Sequence, residues 1–152
     1  MPRKKIVAPE MIDSVAKNMF NVLPMLRKRL LHMDVVQAEH GIPLSHVQVL
    51  SMLNDGKTLS VSDISRRLGI AKPNITPLVD RLLALGLVER QRDENDRRVV
   101  NVVITDTGMK KLDAIQATIA EQVRKQVDQL TAPEFKELSE ALDSLARILN
   151  VL

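Results

Sequence analysis

The sequence of 152 residues contains no cysteine, no tryptophan and no tyrosine, and it has only two phenylalanines. The absence of cysteine excludes disulfides, thiolate metal sites and any cysteine-based redox switch. Because aromatic side chains are so scarce, a hydrophobic core must be built from Leu, Val, Ile, Met and Ala. A core of this composition favours helices packed on helices.

Long hydrophobic runs are also missing. No stretch approaches the roughly 20 uncharged apolar residues that a membrane-spanning helix needs, so no membrane contact is expected. Residues 1–9 are basic but lack the apolar run of a secretory signal, which predicts a cytoplasmic protein. The net charge of +3 is too small to indicate nucleic-acid binding by itself, although the basic residues are biased away from residues 105–152.

Signals for catalysis or metal binding are equally sparse. The three histidines, His32, His40 and His46, include no pair at the i, i+4 spacing of a helical metal site. The sequence has no nucleophile elbow, no phosphate-binding loop and no carboxylate pair at a useful spacing. We therefore expect no enzymatic activity, no metal and no cofactor.

Both ends of the chain show the apolar periodicity of amphipathic helices. One long helix is predicted from Glu10 to Glu39 with a kink at Pro24, and two more follow residue 106. Thr131 opens the last helix with a capping box. We assign these stripes to a core, and because helices that are apolar along their whole length need a partner surface, they also predict a homodimer. The stripes comprise Ile12, Val15, Met19, Val22, Leu23, Leu26, Leu30 and Met33, then Leu112, Ile115, Ile119, Val123, Val127 and Leu130, and finally Leu138, Leu142, Leu145, Ile148, Leu149 and Leu152.

The middle of the chain predicts short helices followed by a β-hairpin. Ser45 and Ser60 each open a capping-box pattern, Gly69 ends the helix that Ser60 starts, and a further helical pattern ends at Gly86. Two β-rich runs, residues 87–92 and 99–104, flank a polar tip. This order predicts a winged helix-turn-helix, in a fold that is mainly α with a small β-hairpin and is flanked by N- and C-terminal dimerisation helices.

The helix near Lys72 has the composition of a DNA-reading helix. Lys72, Asn74 and Thr76 are polar residues close to its start, and their side chains can bond base edges in the major groove. Pro77 leaves the start of this helix open. Either the helix begins at Lys72 and is bent at Pro77, or Asn74 is its cap and Pro77 lies in its first turn, which is the physically cheaper arrangement.

The tip of the hairpin carries Arg97 and Arg98 beside three acidic residues. An arginine on such a tip can enter the narrow minor groove, where the negative potential is enhanced. At least one of the acids should be paired internally, because three acids would otherwise repel phosphates. Arg66 and Arg67 are candidate phosphate contacts.

Together these segments resemble the multiple-antibiotic-resistance regulator (MarR) family. The resemblance is carried by residues 59–69, 72–82 and 86–90, by the Asp96-Arg97-Arg98 triplet, and by the Ile-Thr-Asp-Thr-Gly run that ends at Gly108. Ala71 departs from the family pattern, which commonly has a capping Ser or Thr at this position. Asn95 also departs, since many relatives have a basic residue there.

The resemblance implies a transcriptional regulator, usually a repressor, that binds a pseudo-palindromic operator in double-stranded DNA as a homodimer. It also implies release by a small-molecule effector. Carried over by position, major-groove contacts fall within residues 72–81, and the minor-groove contact falls on Arg97 or Arg98. We favour Arg97 for the groove, with Arg98 and Asp96 bracing the wing. The full set of expected DNA contacts is Lys72, Asn74, Thr76 and Arg81 in the major groove, Arg97 and Arg98 on the wing, and Ser60, Ser62, Arg66 and Arg67 on phosphates.

We divide the chain into an N-terminal dimerisation helix (1–40), a winged DNA-binding region (41–106) and C-terminal dimerisation helices (107–152), all within one continuous structural unit. The alternative function is a winged-helix adaptor that binds protein without operator specificity. An adaptor predicts no sharp salt dependence of DNA binding, whereas an operator-binding protein loses affinity steeply as the salt concentration rises.

Overall fold

A computed structural model describes residues 7–151 of the chain. The chain divides into two compact units, one formed by the described parts of Met1–His32 and Ile119–Leu152, the other by Met33–Thr118. We call the first the helical unit and the second the winged unit. The basic N-terminal residues and Leu152, the last member of the C-terminal stripe, lie outside the described residues. Within residues 7–151, no helix is long and apolar enough to cross a membrane.

The winged unit contains the predicted order of helix, turn, helix and hairpin, which is thereby confirmed. Its elements are α2 (Met33–His40), α3 (Leu44–Met52), β1 (Leu59–Ser60), α4 (Val61–Leu68), α5 (Lys72–Ala84), β2 (Val88–Arg92), β3 (Val100–Ile104) and the first part of α6 (Asp106–Val127). The three strands form an antiparallel sheet in the order β1-β3-β2. Strand β1 is too short to give an alternating pattern, and the sequence does not predict it.

Thr105 and Gly108 join the hairpin to α5 and α6. The Thr105 hydroxyl donates a hydrogen bond to the carbonyl of Gly86 at 2.6 Å and accepts one from the Gly108 amide at 3.0 Å. A Cβ at position 108 would overlap the carbonyl oxygen of Leu87, so only glycine allows this close approach. The hairpin is therefore anchored where α5 ends and α6 begins.

The core of the winged unit is aliphatic, as the composition predicts. Its side chains come from every helix of the unit and from the sheet. Those with no exposed surface are Val36, Val49, Leu50, Leu53, Ile64, Ile75, Val79, Leu82, Val102 and Ile115.

The helical unit contains α1 (Pro9–Leu26), a π-helical turn (Arg27–Leu31), the second part of α6, and α7 (Ala132–Leu149). The predicted capping box at Thr131 is present, because its hydroxyl accepts the Glu134 amide and the Glu134 carboxylate accepts the Thr131 amide. Neither α1 nor α7 contains a buried residue. The assignment of their apolar stripes to a core is therefore wrong for a single chain.

The first predicted helix is interrupted at a different place from the one expected. It runs through Pro24, and the irregularity lies at the π-helical turn and at His32, which adopts a left-handed conformation with φ of 39° before α2 begins. A proline disturbs the turn that precedes it, because the lost hydrogen bond and the ring clash both involve residue i−4. Pro24 therefore does not account for a break on its C-terminal side.

The capping box predicted at Ser45 is absent. Helix α3 begins at Leu44 after Pro43, and no side chain caps it. The Ser45 hydroxyl lies instead 3.3 Å from Nδ1 of His46. The proline fixes an extended approach to the helix, which starts two residues earlier than the serine pattern indicates.

Candidate nucleic-acid interface

The start of α5 settles which of the two sequence-based alternatives the fold adopts. The helix begins at Lys72 after Ala71, which offers no side-chain cap, and it continues through Pro77. Asn74 is therefore not the cap, and the physically cheaper alternative is wrong. The cost of Pro77 is limited because Pro73, whose carbonyl loses its helical partner, and Pro77 are both exposed to water.

Helix α5 has one buried side and two exposed rows. Ile75, Val79 and Leu82 are fully buried and fix the helix on the core. At 3.6 residues per turn, Thr76 and Asp80 lie along one exposed row, while Asn74 and Arg81 lie along another. The predicted major-groove residues are all exposed, but they are divided between two flanks of the helix.

A polar cleft of about 460 Å³ lies between the base of the wing and helices α4 and α5. Six of the predicted DNA contacts line this cleft, and they come from separate parts of the winged unit: Ser60, Ser62, Arg66, Lys72, Thr76 and Arg98. The Thr76 hydroxyl donates to the carbonyl of Lys72 at 3.2 Å. Asn74, Arg81 and Arg97 are exposed but do not line the cleft.

The start of α4 is fixed by a reciprocal capping box, as predicted. The Ser60 hydroxyl accepts the Asp63 amide at 3.1 Å, and the Asp63 carboxylate accepts the amide and the hydroxyl of Ser60. These hydrogen bonds from Ser60, and the neighbouring Arg66, lower the pKa of Asp63. The Arg66 guanidinium pairs with Asp63, and both Arg66 and Arg67 are exposed.

The wing is ordered by its own acidic residues. The Asp93 carboxylate accepts hydrogen bonds from the amides of Asn95 and Asp96 at 2.8 and 3.1 Å and from the Asn101 side chain at 3.0 Å. These bonds lower the pKa of Asp93. The Asp96 carboxylate accepts the backbone amide of Arg98 at 3.0 Å. Asp96 thus closes the turn by accepting a hydrogen bond from the backbone. At least one acidic residue of the wing was expected to be paired internally, and Asp93 makes the most such hydrogen bonds. Sequence reasoning did not single out Asp93 for this role.

One ion pair joins the outer side of α5 to the hairpin. Arg90 Nη2 on β2 lies 2.7 Å from Asp80 Oδ1 on α5. Sequence reasoning missed both residues, because ten positions separate them and neither belongs to a local motif. Their relation depends on how β2 returns alongside α5.

A buried histidine lies under the same helix. His46 on α3 is 8% exposed, and its Nε2 atom has no hydrogen-bond partner within residues 7–151. Burial lowers the pKa of His46, and the charge of Arg81 lowers it further. The neutral form therefore predominates at neutral pH.

The sequence is similar to those of known transcriptional regulators. The sequence profile described as the MarR family matches residues 40–99. The uncharacterised HTH-type transcriptional regulator YfiV of Bacillus subtilis is 33% identical over 107 residues, which cover 70% of this chain and 67% of that protein. The HTH-type transcriptional repressor MdtR of the same organism is 27% identical over 109 residues, covering 72% of this chain and 70% of MdtR.

A solved structure also matches nearly the whole chain. A MarR family protein from Bacillus stearothermophilus superposes with a TM-score of 0.73 at 19% identity, covering 95% of this chain and 99% of that one. The sequence alignments are shorter, and they span half to three quarters of the length of the curated relatives. The profile match covers the winged region, and the regulator YfiV is 33% identical over 67% of its own length. The chain therefore belongs to the MarR family of winged helix-turn-helix transcriptional regulators.

Proposed function

We propose that this regulator binds a pseudo-palindromic operator as a homodimer in the cytoplasm and acts as a ligand-responsive repressor. DNA binding is supported by the polar cleft, which Ser62, Lys72 and Arg98 line beside the exposed side of α5. Groups from three separate elements at one surface are suited to hold a sugar-phosphate backbone while α5 enters the adjacent major groove.

On this proposal α5 reads base edges with both of its exposed rows. Asn74 is free of the cap role, and no hydrogen bond occupies its side chain within residues 7–151, so its amide is available for a bidentate contact with adenine. Lys72, Thr76 and Arg81 complete the reading surface.

The wing has two arginines with different surroundings. Arg98 lines the cleft and its amide is held by Asp96, which suits a bracing or phosphate role. Arg97 is exposed at the tip and away from the cleft, so we assign the minor-groove contact to Arg97. The phosphate contacts of α4 are Ser60, Ser62, Arg66 and Arg67, with Ser60 acting through the helix N-terminus that it caps.

The homodimer is supported by the unburied apolar surface of the helical unit. Exposed large side chains follow one another along α1 and again along the second half of α7; examples are Met19 at 54% and Ile148 at 53%. A surface of this extent is typical of an interface. A two-fold dimer presents two winged units, which is the arrangement that a palindromic site requires.

The effector and the repressor role have separate support. A largely apolar cavity of about 380 Å³ lies in the helical unit and is bordered by Leu26, Leu30 and Leu138. Its polar lining residues are Arg29, Gln126, Gln129 and Glu134. Its size and lining suit a small molecule. The repressor role follows the name of the relative MdtR.

Titration of the purified protein with DNA from upstream of its own gene tests the proposal. The comparison is with shuffled DNA of equal length at two salt concentrations. We expect tighter binding to the upstream DNA, with a steep loss of affinity at the higher salt concentration. Equal affinity for both DNAs would contradict operator binding, and weak salt dependence would favour a protein-binding adaptor.

Two substitutions distinguish a residue that positions the protein on DNA from a residue that reads base pairs. Arg97→Ala should weaken binding to all sequences, whereas Asn74→Ala should relax discrimination at particular base pairs by about 1–3 kcal/mol. Arg124→Ala, which removes an exposed arginine from the helical unit, is the control and should leave DNA binding unchanged. Full discrimination in the Asn74→Ala protein would contradict base reading by Asn74.

A further inference from the structure

Asp80 presents an electrostatic problem for a helix that approaches DNA. It is an exposed acid on the same row of α5 as Thr76, which lines the polar cleft. An unpaired carboxylate at this position would repel the phosphate backbone, and no other acidic residue occurs in α5.

The carboxylate is neutralised by the hairpin. Arg90 reaches Asp80 at 2.7 Å from the middle of β2, where it pairs in the sheet with Val102. Among residues 7–151, this is the one ion pair that joins two different secondary-structure elements, because the other recorded pairs each lie within one helix.

The pair contributes little to folding. The side chains of Arg90 and Asp80 are 53% and 54% exposed, and pairs with this exposure contribute little to stability. The pair does, however, link the root of the wing to α5. Beyond Arg90, the same strand leads to the tip that carries Arg97.

We propose that Asp80 and Arg90 are positioning residues for DNA binding, which mask an acid on the DNA-facing side of α5 and set the wing against that helix. This inference rests on the proposed function. Neither residue needs to touch a base. The effect of losing Arg90 should come from the unmasked Asp80 carboxylate and from a misplaced wing.

A double-mutant cycle on the full-length protein tests this role. Arg90→Ala should lower the affinity for upstream promoter DNA by about tenfold more than Arg92→Ala does. Arg92 is the matched control, because it lies two residues along the same strand and has no ion-pair partner among residues 7–151. The double variant Asp80→Ala/Arg90→Ala should recover part of the loss, and Arg90→Lys should retain most of the binding.

The urea midpoint of unfolding should stay unchanged in all of these variants, since the pair is exposed. Equal losses in Arg90→Ala and Arg92→Ala, or losses that simply add in the double variant, would overturn the proposal. The same variants are also measured on shuffled DNA, because an unpaired Asp80 carboxylate repels any duplex. This second measurement distinguishes failure of the ion-pair proposal from failure of the proposed operator binding. If the unaltered protein binds both DNAs equally, operator specificity fails while the cycle on shuffled DNA still decides the role of the pair. If it binds no duplex, both proposals fail.

Discussion

The winged unit and the helical unit carry similar apolar periodicity but bury it to very different extents. In the winged unit, Leu50, Ile64 and Ile75 have no exposed surface. In the helical unit, α1 and α7 have no buried residue, and Phe20 is 82% exposed. The periodic pattern alone therefore shows that a helix face is apolar, and the tertiary structure shows whether the same chain covers it.

The difference has a physical cause. Short helices and a three-stranded sheet converge on one centre in the winged unit, so each apolar face meets another face of the same chain. Among residues 7–151, the helical unit has no layer that covers the outer faces of α1 and α7. A second copy of the chain would supply that layer in the proposed homodimer.

The largest expected effect comes from placing a charge on the uncovered surface. Val15→Glu should raise the dissociation constant of the homodimer by about 10⁴-fold or more, because assembly would bury one unpaired carboxylate from each chain, at about 3–5 kcal/mol each. Sedimentation velocity over a range of concentrations measures the change. Ser14→Glu adds the same charge at the neighbouring position of α1 and is the control. If both variants stay dimeric, α1 does not form the interface through Val15.

A core truncation in the winged unit should come next. Leu50→Ala should lower the free energy of unfolding by about 2–5 kcal/mol, because it leaves a cavity in a fully buried site. Leu145→Ala removes the same atoms from an α7 side chain that is 40% exposed, and it should cost much less when the protein is diluted to the monomer. Urea denaturation compares the two. Equal losses of unfolding free energy in the two variants would show that the two units do not differ in how far they bury their apolar side chains.

The two capping boxes give a matched pair, one in each unit. Ser60→Ala and Thr131→Ala should each lower the free energy of unfolding by about 1 kcal/mol, because each removes the acceptor for a helix N-terminal amide. Only Ser60→Ala should also weaken DNA binding, since Ser60 begins the helix beside the polar cleft. Equal DNA affinity in both variants would argue against a phosphate role for the start of α4.

The smallest expected effect concerns pH and the winged unit alone. Burial lowers the pKa of His46 below its ordinary value of 6.5, so the unfolded chain takes up a proton before the folded chain does. The contribution of His46 to stability is therefore present above pH 6.5, and it is lost progressively as the pH falls from 6.5 to the lower pKa of the folded state. Urea titrations between pH 7.5 and about pH 5 measure the loss. His46→Gln should flatten the profile, and an unchanged profile in His46→Gln would exclude this residue as the cause.

Much of the candidate interface could be predicted from local sequence. The capping box at Ser60, the turn at Gly69 and the hairpin around Arg97 and Arg98 each depend on residues within a few positions of one another. The Asp80–Arg90 pair could not be predicted, since it depends on how the hairpin folds back along α5. Sequence reasoning did not single out Asp93, although two of its three hydrogen bonds come from amides two and three residues further along the chain. The DNA-contact assignments themselves remain predictions.

The sequence by itself determined the order of helix, turn, helix and hairpin, the aliphatic composition of the core and the family, because periodicity, caps and turn residues act over short distances. The tertiary structure decided those features that depend on contacts between residues far apart in the sequence. It placed the start of α5 at Lys72 with Pro77 inside the helix, because the buried side of α5 holds the helix in register while both prolines face water. It also divided the apolar stripes into covered and uncovered ones, because burial depends on which other surfaces of the chain lie opposite.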